Sequence, residues 1–185
     1  MHRTRPRRSV VFFFGVALPA LAGCGAGPYG YSRTYAPLDA EKSAAAGAED
    51  YDPVMSRRQP EAWRSKKVSV FGVVEGREDR GGFAYLRLSV RVLEDRNACE
   101  TSEEDSCRTT VSDREYDKVH AQLALSRPAD AQGPESVGVG SLVRVVGTVA
   151  APDRNDSIQV LAARYYRHWP RGYWRTASAR SVLRR

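Results

Sequence analysis

Three cysteines carry the most reactive side chains in this chain. Cys24 follows a short apolar segment, whereas Cys99 and Cys107 bracket an acidic loop. A cysteine thiol can be acylated, can form a disulfide with a second thiol, or can bind a metal ion as the thiolate. A structural zinc site needs a second pair of cysteines or histidines at short spacing, and none accompanies Cys99 and Cys107. The sequence therefore predicts no metal site at this pair.

Residue patterns typical of enzymes are missing. The chain contains no G-x-S-x-G, no H-E-x-x-H and no phosphate-binding loop. His120 and His168 are far apart in the sequence, and an exposed turn explains the closely spaced acids Asp113, Glu115 and Asp117. We therefore expect a protein without enzymatic activity, without catalytic residues and without a cofactor.

The N-terminus combines a basic cluster with a short apolar stretch. Apolar residues run from Val10 to Leu21 and are centred on three phenylalanines. This stretch is too short for a transmembrane helix, which needs ~20 apolar residues. A basic region, a short hydrophobic region and small residues before a cleavage site are typical of a secretory signal. The basic cluster consists of His2, Arg3, Arg5, Arg7 and Arg8.

The end of the apolar stretch, Leu21-Ala22-Gly23-Cys24, resembles the lipobox of bacterial lipoproteins. This resemblance implies that the Cys24 thiol is acylated, that the chain is cut before it, and that the new amine takes a further acyl chain such as palmitate. Gly25 stands where an aspartate would favour retention in the inner membrane, so the resemblance implies an outer-membrane lipoprotein that faces the periplasm. The alternatives are an ordinary cleaved signal or a short buried helix in which Cys24 is incidental.

Removal of residues 1–23 changes the charge balance. The whole chain has a formal net charge of +7, and loss of four arginines with no acidic residue lowers it to +3. This modest value makes nucleic acid an unlikely partner. An even pair of cysteines in an exported chain is most simply a disulfide, so we expect Cys99 and Cys107 to be bonded, with two free thiols as the alternative.

Residues 24–66 are predicted to form the lipid anchor and a flexible tether. Glycine, alanine, serine, proline and charged residues dominate this range, and a flexible chain of that length spans ~35 Å on average. Short helices are possible near Asp39–Asp50 and Asp52–Arg64, and Trp63 could pack on the following domain.

From Lys67 onward the sequence has the period of β-strands. Over 67–74 the residues Val68, Val70, Gly72 and Val74 alternate with Ser69, Phe71 and Val73, and this period of two with β-branched residues is typical of a strand. Over 83–92 apolar residues alternate with a more polar set, which is typical of a strand with one buried face. Further strands are predicted over 107–112, 118–125, 142–150 and 158–166. At residues 118–125 we prefer a strand to a helix, because helical spacing would scatter the apolar side chains.

Two of these strands share the pattern V-x-V-x-G-x-V, at 68–74 and 143–149. A glycine inside a strand marks a bend or a bulge, and two such strands suit a small coiled barrel. The number of strands, the glycines in the first and fourth, and the run 139–145 resemble an OB-fold. The resemblance implies a mainly β protein with a five- to six-stranded antiparallel OB-like barrel at 67–170, followed by a basic C-terminal tail at 171–185. Another small β-barrel or a sandwich is the alternative.

The OB-fold resemblance also implies a ligand surface. OB-folds bind oligonucleotides and oligosaccharides on strands two and three and on the flanking loops, where aromatic rings stack and arginines pair with anions. A plain solvated face is the alternative. Among the residues that this surface would offer, Arg80 lies on the first flanking loop. The predicted ligand-binding residues are Phe83, Tyr85, Arg87, Arg91, His120 and Arg154.

The arginine- and aromatic-rich stretch at 164–175 has two interpretations. Its aromatic residues either close one end of the barrel or contact a membrane interface or an anionic envelope polymer.

Two functions are therefore expected. One is a membrane-anchored periplasmic binding module for an anionic glycan or a protein partner, and the other is a structural or assembly lipoprotein of an envelope complex.

Overall fold

The computed structural model describes residues 29–30, 32–153 and 156–179. The predicted signal, the lipidation site Cys24 and the predicted ligand residue Arg154 lie outside these ranges. None of the helices in the described ranges is both long and apolar enough to cross a membrane.

The chain begins with short helices and continues mainly as strands. The helices are α1 (Asp39–Ala45), α2 (Pro53–Arg58), α3 (Pro60–Trp63) and α4 (Pro128–Ala131), with a 3₁₀ turn at Glu104–Ser106. The strands are β1 (Glu49–Asp50), β2 (Lys67–Arg80), β3 (Phe83–Arg91), β4 (Ala98–Cys99), β5 (Cys107–Val111), β6 (Asp117–Leu123), β7 (Leu142–Val149), β8 (Val160–Trp169) and β9 (Trp174–Thr176).

Five strands close into a barrel in the order β2-β3-β6-β8-β7, and β7 pairs with β2 to complete the ring. The two-residue strand β1 pairs in parallel with the first part of β2. The prediction of a mainly β protein with a small OB-like barrel is confirmed. One barrel contact differs from the expected antiparallel pairing, because β6 and β8 run parallel. The reason is the connection through α4, which carries the chain across to β7 before β8 returns beside β6.

The two copies of the glycine pattern pair with each other. Val68 lies opposite Gly147 and Gly72 lies opposite Val143 on the antiparallel strands β2 and β7. The register between β7 and β8 shifts at Gly147, and a Cβ added there would lie 2.2 Å from the carbonyl oxygen of Ala162. As predicted, this glycine marks a bulge, where two backbones approach closely.

Alternation along the strands creates two apolar clusters. The barrel interior is filled by inward-facing side chains such as Leu86, Leu88 and Val145, all fully buried. A second cluster contains Phe71, Leu142 and Trp169. Val70 and Val143, the strand neighbours of Phe71 and Leu142, belong to the main core. The second cluster therefore lies on the outside of the β2–β7–β8 side of the barrel.

Residues 32–66 are folded onto the barrel, which differs from the flexible tether predicted for 24–66. The α1 residue Glu41 has no exposed surface, and Tyr51 and Trp63 are buried in the main core. Both possible helical regions contain helices, and Trp63 packs on the barrel as expected. The tether prediction was based on amino-acid composition. Composition does not show that single residues such as Glu41, Tyr51 and Trp63 each pack against a partner on the barrel.

A smaller three-stranded sheet carries the cysteine pair. It has the order β4-β5-β9, and Cys99 lies directly opposite Cys107 on antiparallel strands. The two cysteines form a disulfide, as predicted. Residues 174–176, assigned to the basic tail by the sequence, form the third strand and pair in parallel with β5.

Candidate binding groove

A groove of ≈ 360 Å³ lies on the outer face of β3 and β6, between the β2–β3 hairpin and the loop that connects β7 with β8. We call it the β3–β6 groove. Its chemically active side chains are Arg80, Tyr85, Arg87, His120, Asp153 and Asp156.

The strand register brings these side chains together. Arg87 on β3 lies directly opposite His120 on β6, and Tyr85 lies opposite Gln122. Because side chains alternate across a strand, the intervening residue Leu86 points into the core, where it is fully buried. The outward set of β3 is therefore fixed by the same alternation that fills the barrel.

Tyr85 and Arg80 form a stacked pair at one end of the groove. The guanidinium carbon of Arg80 lies 4.0 Å from the centroid of the Tyr85 ring, a distance typical of a cation–π contact. The stack presents a planar group with both aromatic and cationic character beside the hairpin. Such a group can pack against a flat ring while its N–H donors face an anion.

His120 and Asp156 join the strand to the loop at the other side of the groove. The Nε2 atom of His120 lies 2.7 Å from Oδ2 of Asp156, and Oδ1 of Asp156 accepts a hydrogen bond of 3.0 Å from the backbone N–H of Ile158. The contact with His120 holds the pKa of the Asp156 carboxyl below its usual value. This carboxylate therefore fixes the loop that forms one wall of the groove.

The charges that line the groove are balanced. Three arginines face it, together with three carboxylates, those of Glu78, Asp153 and Asp156. Arg77 also has a structural role, because its Nη1 donates 2.7 Å to the carbonyl oxygen of Val137. Arg87 lies 3.6 Å from Glu75 and keeps half of its side chain exposed. The groove can thus donate to an anion and accept from hydroxyl or amide groups.

The structure separates the predicted ligand residues into two groups. Tyr85, Arg87 and His120 meet in the β3–β6 groove. Phe83 is 40% exposed at the tip of the hairpin and lines a shallower depression beside the groove. Arg91 lies at the opposite end of β3, where its guanidinium donates to the carbonyl oxygen of Asp113, and it does not line the groove.

The sequence analysis did not identify the carboxylates of the groove. Asp153 and Asp156 belong to the loop that the OB-fold resemblance named as a flank, but only its arginine was singled out. The signal that could have found them was the run of polar residues at 153–157 next to that arginine.

A second polar cluster is buried beneath the α4 segment. His168 donates from Nε2 to the carbonyl oxygen of Glu135 at 2.8 Å, and Asp130 accepts from Arg127 at 2.8 Å and from Tyr166 at 2.5 Å. Burial lowers the pKa of His168. The polar groups of this cluster form hydrogen bonds with one another, so the cluster connects α4 to β8.

No group of acidic, histidine or cysteine residues in the described ranges could hold a metal ion.

Comparisons with known proteins identify no family. No family profile matches the chain, and no curated protein matches it. Among solved structures, the chain is similar to a putative aspartyl-tRNA synthetase from Leishmania major Friedlin, with a TM-score of 0.38 and 18% sequence identity. The match covers 65% of this chain and 21% of that protein, so it spans about a fifth of the synthetase.

Proposed function

We propose that this protein is a non-enzymatic binding module, anchored by lipid at Cys24 to the outer membrane of a bacterial envelope, and that its β3–β6 groove binds an acidic saccharide. The observation that carries the proposal is the convergence of Tyr85, Arg87 and His120 between two loops on one face of the barrel. OB-folds use the corresponding face for oligosaccharides and oligonucleotides.

The size and charge of the groove favour a saccharide over a polyanion. A volume of ≈ 360 Å³ lies at the small end of the range for ligand pockets, as expected for one or two sugar rings. The Arg80–Tyr85 stack can pack against a ring, Arg87 can pair with a carboxylate or phosphate, and Asp153 can accept from hydroxyl groups. A polyanion such as nucleic acid would meet the three carboxylates of the lining.

The lipid anchor is supported by the lipobox resemblance at Leu21-Ala22-Gly23-Cys24. Two or more acyl chains attach a protein stably to a membrane, whereas one chain is marginal. The disulfide between Cys99 and Cys107 is consistent with an oxidising compartment such as the periplasm.

Binding to peptidoglycan fragments and to lipopolysaccharide tests the groove. Tyr85→Ala and Arg87→Ala should each weaken binding of the preferred polymer about tenfold, because each removes one stacking or charge-assisted contact. Arg58→Ala is the matched control, since Arg58 is exposed on α2 and does not line the groove. Binding that is unchanged in both groove variants, or a stoichiometric protein partner that is insensitive to them, would favour the structural or assembly function instead.

Mass spectrometry of the protein purified from its native membrane tests the anchor independently. We expect a chain that begins at Cys24 and carries acyl chains on the thiol and the amine. A chain that begins upstream of residue 24, or an unmodified thiol at Cys24, would refute the anchor without affecting the groove.

A further inference from the structure

The first described residue is held firmly against the barrel. The carbonyl oxygen of Tyr29 accepts a hydrogen bond of 2.7 Å from Nε1 of Trp169, which has no exposed surface. The Tyr29 ring lies 4.5 Å from the ring of Tyr173, and its hydroxyl donates to Glu135 at 3.0 Å. The position of Tyr29 is therefore set by the barrel and by the segment that follows β8.

The chain between Cys24 and Tyr29 is short. Four residues, Gly25 to Pro28, separate them, and five steps of at most ~3.6 Å per residue span no more than ~18 Å. A lipid on Cys24 would thus hold Tyr29 within ~18 Å of the membrane surface. This limit is about half of the span predicted for a flexible tether. Because the lipid must stay this close to Tyr29, the side of the barrel that carries Tyr29 faces the membrane.

The surface around Tyr29 has the composition of a membrane interface. We define the anchor-side surface as Tyr29, Val139, Arg171, Tyr173 and Arg175. Val139 is 65% exposed and Arg171 is exposed. Aromatic rings, apolar side chains and arginines in combination are typical of protein surfaces that lie in the headgroup region.

The fold holds these residues close together. Trp174, between Tyr173 and Arg175, donates from Nε1 to the carbonyl oxygen of Gly140 at 2.9 Å, which fixes the segment beside Val139. A Cβ added at Gly140 would lie 3.2 Å from Nε of Arg171, so the guanidinium covers this glycine next to Val139.

Two carboxylates lie beside this surface. Glu135 accepts a hydrogen bond from the Tyr29 hydroxyl and keeps its negative charge, and Glu100 lies 3.4 Å from Arg175 and offsets the charge of that arginine. Arg171 places a positive charge at an exposed position beside Val139, the most exposed large apolar side chain among the described residues.

We propose that the anchor-side surface binds anionic lipid headgroups, so that the barrel lies on the membrane with this side down. The proposal rests on the proposed anchor at Cys24 for its geometry. The surface shares no residue with the β3–β6 groove.

Vesicle sedimentation with a protein that cannot be acylated tests this surface apart from the anchor. The probe is the chain from residue 24 with Cys24→Ser, mixed with vesicles of phosphatidylcholine alone or of phosphatidylcholine and phosphatidylglycerol in equal parts. We expect binding to the anionic vesicles at low salt, loss of this binding at high salt, and a decrease of about tenfold in Arg171→Glu.

Two control variants make the result specific. Arg58→Glu introduces the same charge change at an exposed site outside the anchor-side surface and should bind several-fold better than Arg171→Glu. Tyr85→Ala, in the groove, should bind vesicles like the parent protein. Equal affinity for both kinds of vesicle, equal weakening in Arg58→Glu and Arg171→Glu, or loss of binding in Tyr85→Ala would overturn the proposal. Absence of lipid on native Cys24 would refute the anchor but would leave the vesicle result standing.

Discussion

Glu41 is a carboxylate with no exposed surface that lies between two arginines. Its oxygens lie 2.6 Å from Arg144 and 2.9 Å from Arg167, and the hydroxyl of Tyr35 also donates to it. Burial raises the pKa of Glu41, but the hydrogen bonds from these three residues outweigh burial and place the pKa below its usual value of 4.5. This one side chain therefore holds α1 on strands β7 and β8.

Replacement of Glu41 by glutamine should lower the free energy of unfolding by about 3 kcal/mol at neutral pH, because it leaves the buried Arg167 and the partly buried Arg144 without their counter-charge. Urea unfolding measures the loss. Asp39→Asn is the control in the same helix, since the Asp39 side chain is 98% exposed, and it should cost at most about 0.5 kcal/mol.

The same variant carries a pH test with a definite sign. A carboxyl whose pKa is lower in the folded chain stabilises the fold above its unfolded pKa and loses this contribution as the pH falls through the folded value. The gap in stability between the parent and Glu41→Gln should therefore shrink as the pH falls from 6 to 3. A gap that stays constant over this interval would show that the Glu41 charge does not stabilise α1.

At the scale of elements, the paired glycine strands determine how tightly the barrel closes. Val70 lies opposite Val145 at the centre of the pair, and the glycines Gly72 and Gly147 lie near its two ends. A Cβ at Gly147 would meet the backbone of β8, whereas a Cβ at Gly76 would lie at 3.6 Å or more from the flexible side chain of Arg87. Gly147 and Gly76 therefore differ in their surroundings: Gly147 faces a neighbouring backbone, whereas Gly76 faces a side chain that can move.

Gly147→Ala should therefore lower the free energy of unfolding by about 3 kcal/mol, since the backbone of Ala162 must shift to admit the methyl group. Gly76→Ala is the matched control and should change stability by less than about 1 kcal/mol, because its methyl group makes ordinary contacts. Thermal or urea unfolding of both variants measures the difference. If both variants unfold alike, the close approach of β7 and β8 does not limit the barrel.

At the scale of the whole molecule, the barrel is completed by the segment that precedes it. Tyr51 and Trp63 fill the main core, and their rings meet edge to face at 5.8 Å. On the other side, Tyr35 packs in the outer cluster against Phe71 and Trp169. The residues at 32–66 thus cover apolar surface on two sides of the barrel.

A fragment of residues 67–170 should therefore fail to fold on its own. Loss of a buried tryptophan alone costs ~3–5 kcal/mol, and loss of Tyr51 and Glu41 with it would use most of the ~5–15 kcal/mol that stabilises a typical domain. Near-ultraviolet circular dichroism and urea unfolding measure the outcome. The chain from residue 24 with Cys24→Ser is the control and should unfold cooperatively. A fragment 67–170 with an unchanged unfolding midpoint would restore the prediction that 24–66 is only a tether.

Much of the barrel could be predicted because strand signals are local. The alternation over 83–91 identified β3 and its buried face, and the two glycine patterns identified two further strands, β2 and β7. The pairing of β2 with β7, which closes the ring, was visible only in the structure. The outward residues of β3 followed from the same alternation. The alternation could not predict that Arg87 faces the groove and Arg91 does not. Arg91 donates a hydrogen bond to the carbonyl oxygen of Asp113, which is 22 residues away in the sequence.

The sequence by itself determined a mainly β chain and favoured a small barrel and a disulfide-bonded loop, with a sandwich as the alternative. The period of the strands, the spacing of the glycines and the cysteine pair carry these signals, and each is a property of nearby residues. Three-dimensional packing alone decided that residues 32–66 belong to the folded body and that Asp153 and Asp156 share a groove with Tyr85. The physical reason is separation along the chain. Glu41 meets Arg144 across 103 residues, and no local pattern encodes such a contact. Only closure of the barrel brings these charges within bonding distance.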